Sequence, residues 1–333
     1  MQQQPRRALL RRIALTTLAA VGAALGGPGC LAESAFPAHE VRFLNGFAPG
    51  GTSDLVGRIL ADRLSQQLGQ RVVVDNRTGG GGAVAAQELA RSAPDGHTLL
   101  LGSTGILAIA PQMQPLPYDV DRDMVPVANV ASAYNILITG PRSEVRTWQD
   151  LARLGRDPAR RLTCATVGAG SSQQLACVLF ASLTGMQLEQ VPYRGGAPAI
   201  ADIASGRVDV MFGNMPEFLG QIRDGGLRPV GYGTAEPSPL LPDVPVISQA
   251  GLPGFVVPGS WFGVVAPRHT PPALVARWNA EINRALVDPG VQRRLAENGL
   301  RRLGGTAEEF QRQIATDRAS WGEIIRQHNI RPD

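Results

Sequence analysis

The chain contains no lysine, so all 32 of its Lys/Arg positions are arginine. A Walker A phosphate loop and any Schiff-base chemistry are thereby excluded, since both need a lysine amine. Aromatic residues make up 5% of the 333 positions and no basic run is interleaved with them, which disfavours a nucleic-acid partner. The net charge of +4 is largely local: residues 1–35 hold four arginines and one glutamate, and without them the balance is +1. Histidine is scarce too. His39, His97, His269 and His328 stand apart without metal-ligand spacing, and His97 sits in a tight turn that suits a surface residue. No metal and no cofactor is implied. Past residue 35 no apolar run is long enough to be a transmembrane helix.

Enzyme signatures are missing as well. Gly168-Ala169-Gly170-Ser171-Ser172-Gln173 lacks the third glycine of a dinucleotide fingerprint. In Gly259-Ser260-Trp261-Phe262-Gly263 the serine is misplaced for a nucleophile elbow. Nothing sets a base beside a nucleophile, so the chain reads as a non-enzyme, with a site formed only in space as the alternative.

Residues 1–35 resemble a targeting segment. Arg6, Arg7, Arg11 and Arg12 form a basic region, Ile13 to Leu25 is an apolar run too short to span a bilayer, and Gly26-Gly27-Pro28 ends it. The run Pro5-Arg6-Arg7 through Arg11 resembles a twin-arginine signal, and cleavage near Cys30 or Ala32 fits the small-residue rule. The expected location of the mature chain is the periplasm. Of three cysteines, Cys30 falls in this segment, leaving Cys164 on a predicted strand and Cys177 on the next helix. An oxidising compartment permits a disulfide between them, and two buried thiols are the alternative.

What is present is an alternation of strand-like and helix-like stretches over some 298 residues, enough for two α/β domains with parallel sheets. Strands are expected at Val41–Phe47, Arg71–Asp75, Thr98–Gly102, Leu162–Val167, Gln187–Val191, Val208–Phe212, Leu227–Tyr232 and Trp261–Val265. Asn129–Thr139 reads as one apolar strand carrying the first crossing between domains, and Pro115–Asp123 as an extended connection. The domains are placed at 36–138 plus 262–333 and at 139–261, with two crossover segments.

The organising stretch is Phe47-Ala48-Pro49-Gly50-Gly51-Thr52-Ser53-Asp54, between the first strand and a helix whose apolar residues recur at the helical period until Gly69. Its glycines permit a sharp turn, and Thr52 or Ser53 can cap the helix. The helix's first amides would then form an anion seat made of backbone, with Asp54 fixing the turn. A well-capped turn without a ligand is the plain alternative.

Pro49 to Asp54, Asp75-Asn76-Arg77, Pro94-Asp95-Gly96-His97-Thr98-Leu99-Leu100, Leu116-Pro117-Tyr118-Asp119, Val191-Pro192-Tyr193-Arg194-Gly195-Gly196-Ala197-Pro198-Ala199, Leu241-Pro242-Asp243-Val244-Pro245 and Ser260-Trp261-Phe262-Gly263 occur in one order. The set resembles the Bug family, the TctC-like substrate-binding proteins of bacterial tripartite tricarboxylate transport systems. The resemblance implies a bilobed periplasmic binding protein fold, α/β throughout, that grips a ligand carboxylate with loops from both lobes. The expected contacts are Phe47, Gly50, Gly51, Thr52 and Ser53 on one side and Gly170, Ser171 and Ser172 on the other. Ser103, Thr104, Arg194 and Asn214 are further candidates. The implied partner is a membrane permease of the tripartite type, or a sensor protein, with the receptor a monomer. Gly213 departs from the family, where many relatives carry aspartate, and is expected to bear on the ligand side.

Overall fold

The computed structural model describes residues 36–168, 170–193, 195–328 and 330. The readings of residues 1–35 as a targeting segment, of Cys30 and of Arg194 lie outside the described residues. Residues 39–333 cluster as one unit.

β1 (Val41–Asn45), α1 (Thr52–Leu68), β2 (Val72–Asn76), α2 (Ala83–Ala90) and β3 (Thr98–Ser103) form a β–α–β–α–β run. Its strands pair in parallel with β1 in the middle. Val41, Phe43 and Leu44 are fully buried, as are Val56, Ile59, Leu60 and Leu64 of α1, and Leu44 packs with Ala85, Ala86 and Leu89 of α2. Gly69 ends α1 in the left-handed conformation at φ 68°. A wide helical turn at Gly105–Ile109 then leads into α3 (Ala110–Met113), and α4 (Val120–Asp123) is a single turn capped by Asp119. Expecting Pro115–Asp123 to be extended misses this last turn, because four residues show no helical period.

β4 (Met124–Ala133) stays in the first sheet, and after Tyr134 the chain enters the second as β5 (Asn135–Thr139). Asn129–Thr139 reads as one strand because residues 127–140 are buried without a break, so no exposed residue marks the change of sheet. The second sheet follows with α5 (Trp148–Gly155), β6 (Leu162–Thr166), α6 (Ser172–Thr184), β7 (Leu188–Pro192), α7 (Gly196–Ser205), β8 (Val210–Asn214), α8 (Met215–Arg223) and β9 (Arg228–Tyr232). The chain returns to the first sheet as β10 (Ser260–Pro267) and finishes with α9 (Pro272–Leu286), α10 (Pro289–Glu297), β11 (Leu300–Arg302) and α11 (Ala307–Gln327).

The strand orders are β11-β4-β10-β3-β1-β2 and β7-β6-β8-β5-β9. Both sheets are mixed, which corrects the expectation of parallel sheets. β10 is antiparallel to β3 and β4, and β5 is antiparallel to β8 and β9. These are the strands that carry the chain from sheet to sheet, and they run against the direction set by the β–α–β units. The two passages lie side by side, since Ser260 pairs with Ala133 at the start of β10.

Each sheet has its own aromatic core. Phe180, Phe212 and Phe255 stack with ring centroids 5.2–5.4 Å apart in the second. In the first, Trp261 meets Phe310 of α11 at 5.3 Å, and its indole N–H donates to Asp317. The histidines are not all separate: the His39 and His97 rings stack at 3.8 Å, with Asp95 beside them. No helix among the described residues is long and apolar enough to cross a membrane.

Cys164 of β6 and Cys177 of α6, both buried, are joined by a disulfide with Cα atoms 6.5 Å apart. It clamps helix to strand on either side of the loop that begins at Gly168. A crosslink of this span typically contributes about 2–4 kcal/mol. The doubly substituted Cys164→Ala/Cys177→Ala protein is expected to lose about that much in urea unfolding, and an unchanged midpoint would show that the bond constrains nothing.

Candidate functional site

The strand ends and helix starts of both sheets surround a cavity of about 440 Å³, within the range that small-molecule sites occupy. Its first wall is the turn between β1 and α1. Gly50 adopts φ 84°, a left-handed conformation that favours glycine, and Gly51 is the residue at which α1 begins. Asp54 fixes this turn: its carboxylate accepts from the Gly50 N–H at 3.0 Å, Asn76 Nδ2 at 3.0 Å and Arg58 Nε at 2.9 Å. Burial raises the carboxyl pKa, but these bonds outweigh it and hold Asp54 below the usual carboxylate range.

Neither Thr52 nor Ser53 caps α1, contrary to the reading of the sequence. Both hydroxyls are recruited elsewhere. Ser53 Oγ donates to Asn45 Oδ1 at 2.7 Å, and Thr52 Oγ1 donates to Glu217 Oε1 at 2.8 Å. Gly51 N–H is turned back onto Ala48 O at 3.4 Å. The amides of Thr52 and Ser53 therefore start the helix without an intrahelical partner, and both residues line the cavity, the Thr52 N–H turned towards the Glu217 carboxylate.

The opposite wall is the start of α6. Ser171 is its N-cap, its hydroxyl accepting from Gln174 N–H at 3.2 Å. Ser172 and Gln173 follow as the first helical residues and also line the cavity. Ser172 Oγ lies 2.8 Å from Ser260 Oγ, a hydrogen bond between α6 and the first strand of the return passage. Gly170 is not part of the cavity wall: its N–H is given to Gln174 Oε1 at 2.8 Å, and a side chain there would press on Ala110 at 3.0 Å.

The remaining sequence candidates divide. Ser103 and Thr104 reach the cavity from the end of β3, but Thr104 Oγ1 already accepts from Trp261 N–H at 2.9 Å. Phe47 lines the cavity and also packs against the buried hydrophobic core. Asn214, at the end of β8, faces in. Gly213 does not, which corrects the expectation that it bears on the ligand side. A Cβ at that position would run into the buried ring of Phe218.

Val167, Gln173, Ala197, Pro198 and Ile200 line the wall without having been read from the sequence, and so do three further features. Gly105 belongs to the wide turn after β3, and Ser260 and Phe262 come from β10. The third is Glu217, in the first turn of α8. Among the described residues it is the one ionisable side chain lining the cavity. The carboxylate spans the cleft through Thr52, and its Oε2 is shut off from solvent with no hydrogen-bond partner. Burial pushes its pKa up, and the contacts from Thr52 and Asn214 only partly offset this. An acid at a helix start after Asn-Met-Pro is normally a solvated complement to the helix dipole, so sequence gave no reason to place it inside.

The sign of the pH effect follows. A carboxyl raised above its ordinary value of 4.5 favours folding below that pH and loses the advantage as pH rises through the folded-state value. Glu217→Gln should therefore raise the melting temperature at pH 8, with the gain shrinking towards pH 4. A pH-independent difference between variant and parent would contradict this burial.

A profile of the tripartite tricarboxylate transporter family receptor, TctC, matches residues 56–330. A Pseudomonas sp. strain P51 protein from the tcbD-tcbE intergenic region is 36% identical over 297 residues, 89% of this chain and 88% of that one. BugT of Bordetella pertussis is 33% identical over 93% of this chain and 96% of its own. Among solved structures, Rpa4515 of R. palustris with adipate has a TM-score of 0.86 at 33% identity, covering 90% of this chain and all of that one. MatC from Rhodopseudomonas palustris with bound malate has 0.82 at 31%, covering 87% and 100%. The periplasmic binding protein BugD has 0.84 at 28%, covering 90% and 100%. Two mixed α/β sheets around a cleft, and a family profile that spans nearly all of the described residues, place the chain among the TctC solute-binding receptors of the tripartite tricarboxylate transporter family.

Proposed function

We propose that this chain is a periplasmic receptor that captures a small organic carboxylate in the cavity and delivers it to a membrane permease of the tripartite tricarboxylate type. The observation that carries the reading is the meeting of two helix starts. α1 from one sheet and α6 from the other bring the amides of Thr52, Ser53, Ser172 and Gln173 to one cavity. Helix starts carry partial positive charge and unsatisfied N–H donors, each worth about 0.3–2 kcal/mol to an anion, so two facing starts give useful affinity where one does not. Adipate and malate in the neighbouring structures support the same class of ligand. In this reading Gly50 and Gly51 shape the first grip and Ser171 and Ser172 the second. Gly170 sets the backbone of the second grip from behind, and Phe47 with Ser103, Thr104 and Asn214 meets the rest of the ligand. Arg194 is kept as a candidate partner for a second acidic group.

Residues 1–35 would direct export and be removed. The two lobes, read from sequence as 36–138 plus 262–333 and 139–261 and drawn by sheet as 36–133 plus 260–333 and 135–259, would then close as a monomer about the paired passages at Tyr134 and Ser260. A sensor partner in place of a permease leaves the binding chemistry unchanged, and binding without turnover separates either role from an enzyme.

Unfolding and refolding strips any carried-over ligand before calorimetry with mono-, di- and tricarboxylates and their amides. Binding of at least one acid but not its amide is expected. Failure of every acid, or equal binding of acid and amide, would sink the carboxylate reading. Gly51 offers a sharper check. Its φ of −78° suits any residue, and a Cβ there meets nothing closer than Ala48 O at 3.6 Å. Gly51→Val should keep its melting temperature yet bind the acid at least tenfold more weakly, a loss of about 1.4 kcal/mol or more. Unaltered affinity in the folded variant would argue against the α1 seat.

A further inference from the structure

A cavity built to hold an anion contains a carboxylate of its own. Glu217 Oε1 is engaged by the Thr52 hydroxyl, but Oε2 is buried without a donor. Three residues earlier, Asn214 is 5% exposed, and its Oδ1 is likewise buried and without a partner. Asn214 is also the residue at which α8 begins, where an asparagine oxygen ordinarily caps the helix, yet it makes no cap bond. Both residues line the same cavity. Gly196 opposite is what leaves room for Glu217, since a Cβ there would lie 2.6 Å from Oε2. The cavity therefore offers donors at the starts of α1 and α6 and, beside the α1 start that Glu217 contacts through Thr52, two acceptor oxygens without a donor, Glu217 Oε2 and Asn214 Oδ1. Buried acceptors are rarely left unpaired, because an unmade hydrogen bond out of water is costly.

We propose that Asn214 and Glu217 form a subsite for a hydrogen-bond donor on the ligand, an ammonium or hydroxyl group, and so make Glu217 a specificity-determining residue. The preferred ligand is then an amino- or hydroxy-monocarboxylate, and a plain dicarboxylate is disfavoured because its second anionic end meets Glu217. This rests on the carboxylate reading above and adds the chemistry of the ligand's other end.

Matched ligand sets test this by calorimetry on the refolded protein: butyrate, γ-hydroxybutyrate, γ-aminobutyrate and succinate; propionate, 3-hydroxypropionate, β-alanine and malonate; caproate, ε-hydroxycaproate, ε-aminocaproate and adipate. In the set of fitting length, the amino or hydroxy member should bind at least tenfold more tightly than both the unsubstituted acid and the diacid. Preference for the amine identifies pairing with ionised Glu217, and preference for the alcohol a neutral acceptor subsite. Glu217→Gln should cut the preference for the amine over the diacid at least tenfold. Tighter binding of the diacid or the unsubstituted acid by the unaltered protein overturns the proposal and leaves the carboxylate reading standing. So does an unchanged preference in Glu217→Gln. Failure of every acid in all sets removes both.

Discussion

The first amides of an α-helix have no acceptor within the helix, and something must meet them. In this protein the constraint shapes the turns at both gripping loops. At α1 the side chains that would usually cap the helix are drawn away, Ser53 towards Asn45 and Thr52 across the cleft, while Asp54 ties the turn from behind through Gly50, Asn76 and Arg58. At α6 the cap is made by Ser171, and Gln174 reaches back to hold the preceding glycine, which leaves the next two residues at the cavity wall. The disulfide between Cys164 and Cys177 fixes the strand and helix on either side of this second turn. Both turns are thus tied by hydrogen bonds from behind, through Asp54 at α1 and Gln174 at α6.

Glu217 works against that seat and also joins its halves. Its hydrogen bond with Thr52 links α8 of the second sheet to α1 of the first, and Ser172 with Ser260 makes a second link between the sheets. An acid placed there disfavours its own ionisation, which is the direction its surroundings impose. Its presence also removes the simplest picture of an anion site, in which the wall carries only neutral or positive groups. Selectivity in such a cavity comes from what is left unpaired as much as from what attracts.

Much of the fold was legible because it is written in period and punctuation. Pro272–Leu286 and Ala307–Gln327 show their starts in the sequence, by proline in the first turn of one and by the Thr306 and Glu309 capping box of the other. The cavity's first wall was legible because glycine and proline between a strand and a helix leave little choice of turn. The misses share one cause, namely contacts between residues far apart in sequence. Tyr134 divides two strands of different sheets with no exposed residue to mark it. Thr52 loses its capping role to a residue 165 positions away. His39 and His97 look isolated until the first strand brings their rings together. Gly213 and Glu217 sit close in sequence yet exchange their expected parts, the glycine facing Phe218 and the acid facing the ligand cavity.

The central claim is that two helix starts from two sheets hold one carboxylate. A crystal structure of the refolded protein with its tightest-binding acid tests it most directly. The account predicts the carboxylate carbon between α1 and α6, with its oxygens within hydrogen-bond distance of amides from Thr52 or Ser53 on one side and Ser172 or Gln173 on the other. A carboxylate bound by side chains alone, or one lying away from either helix start, would contradict it.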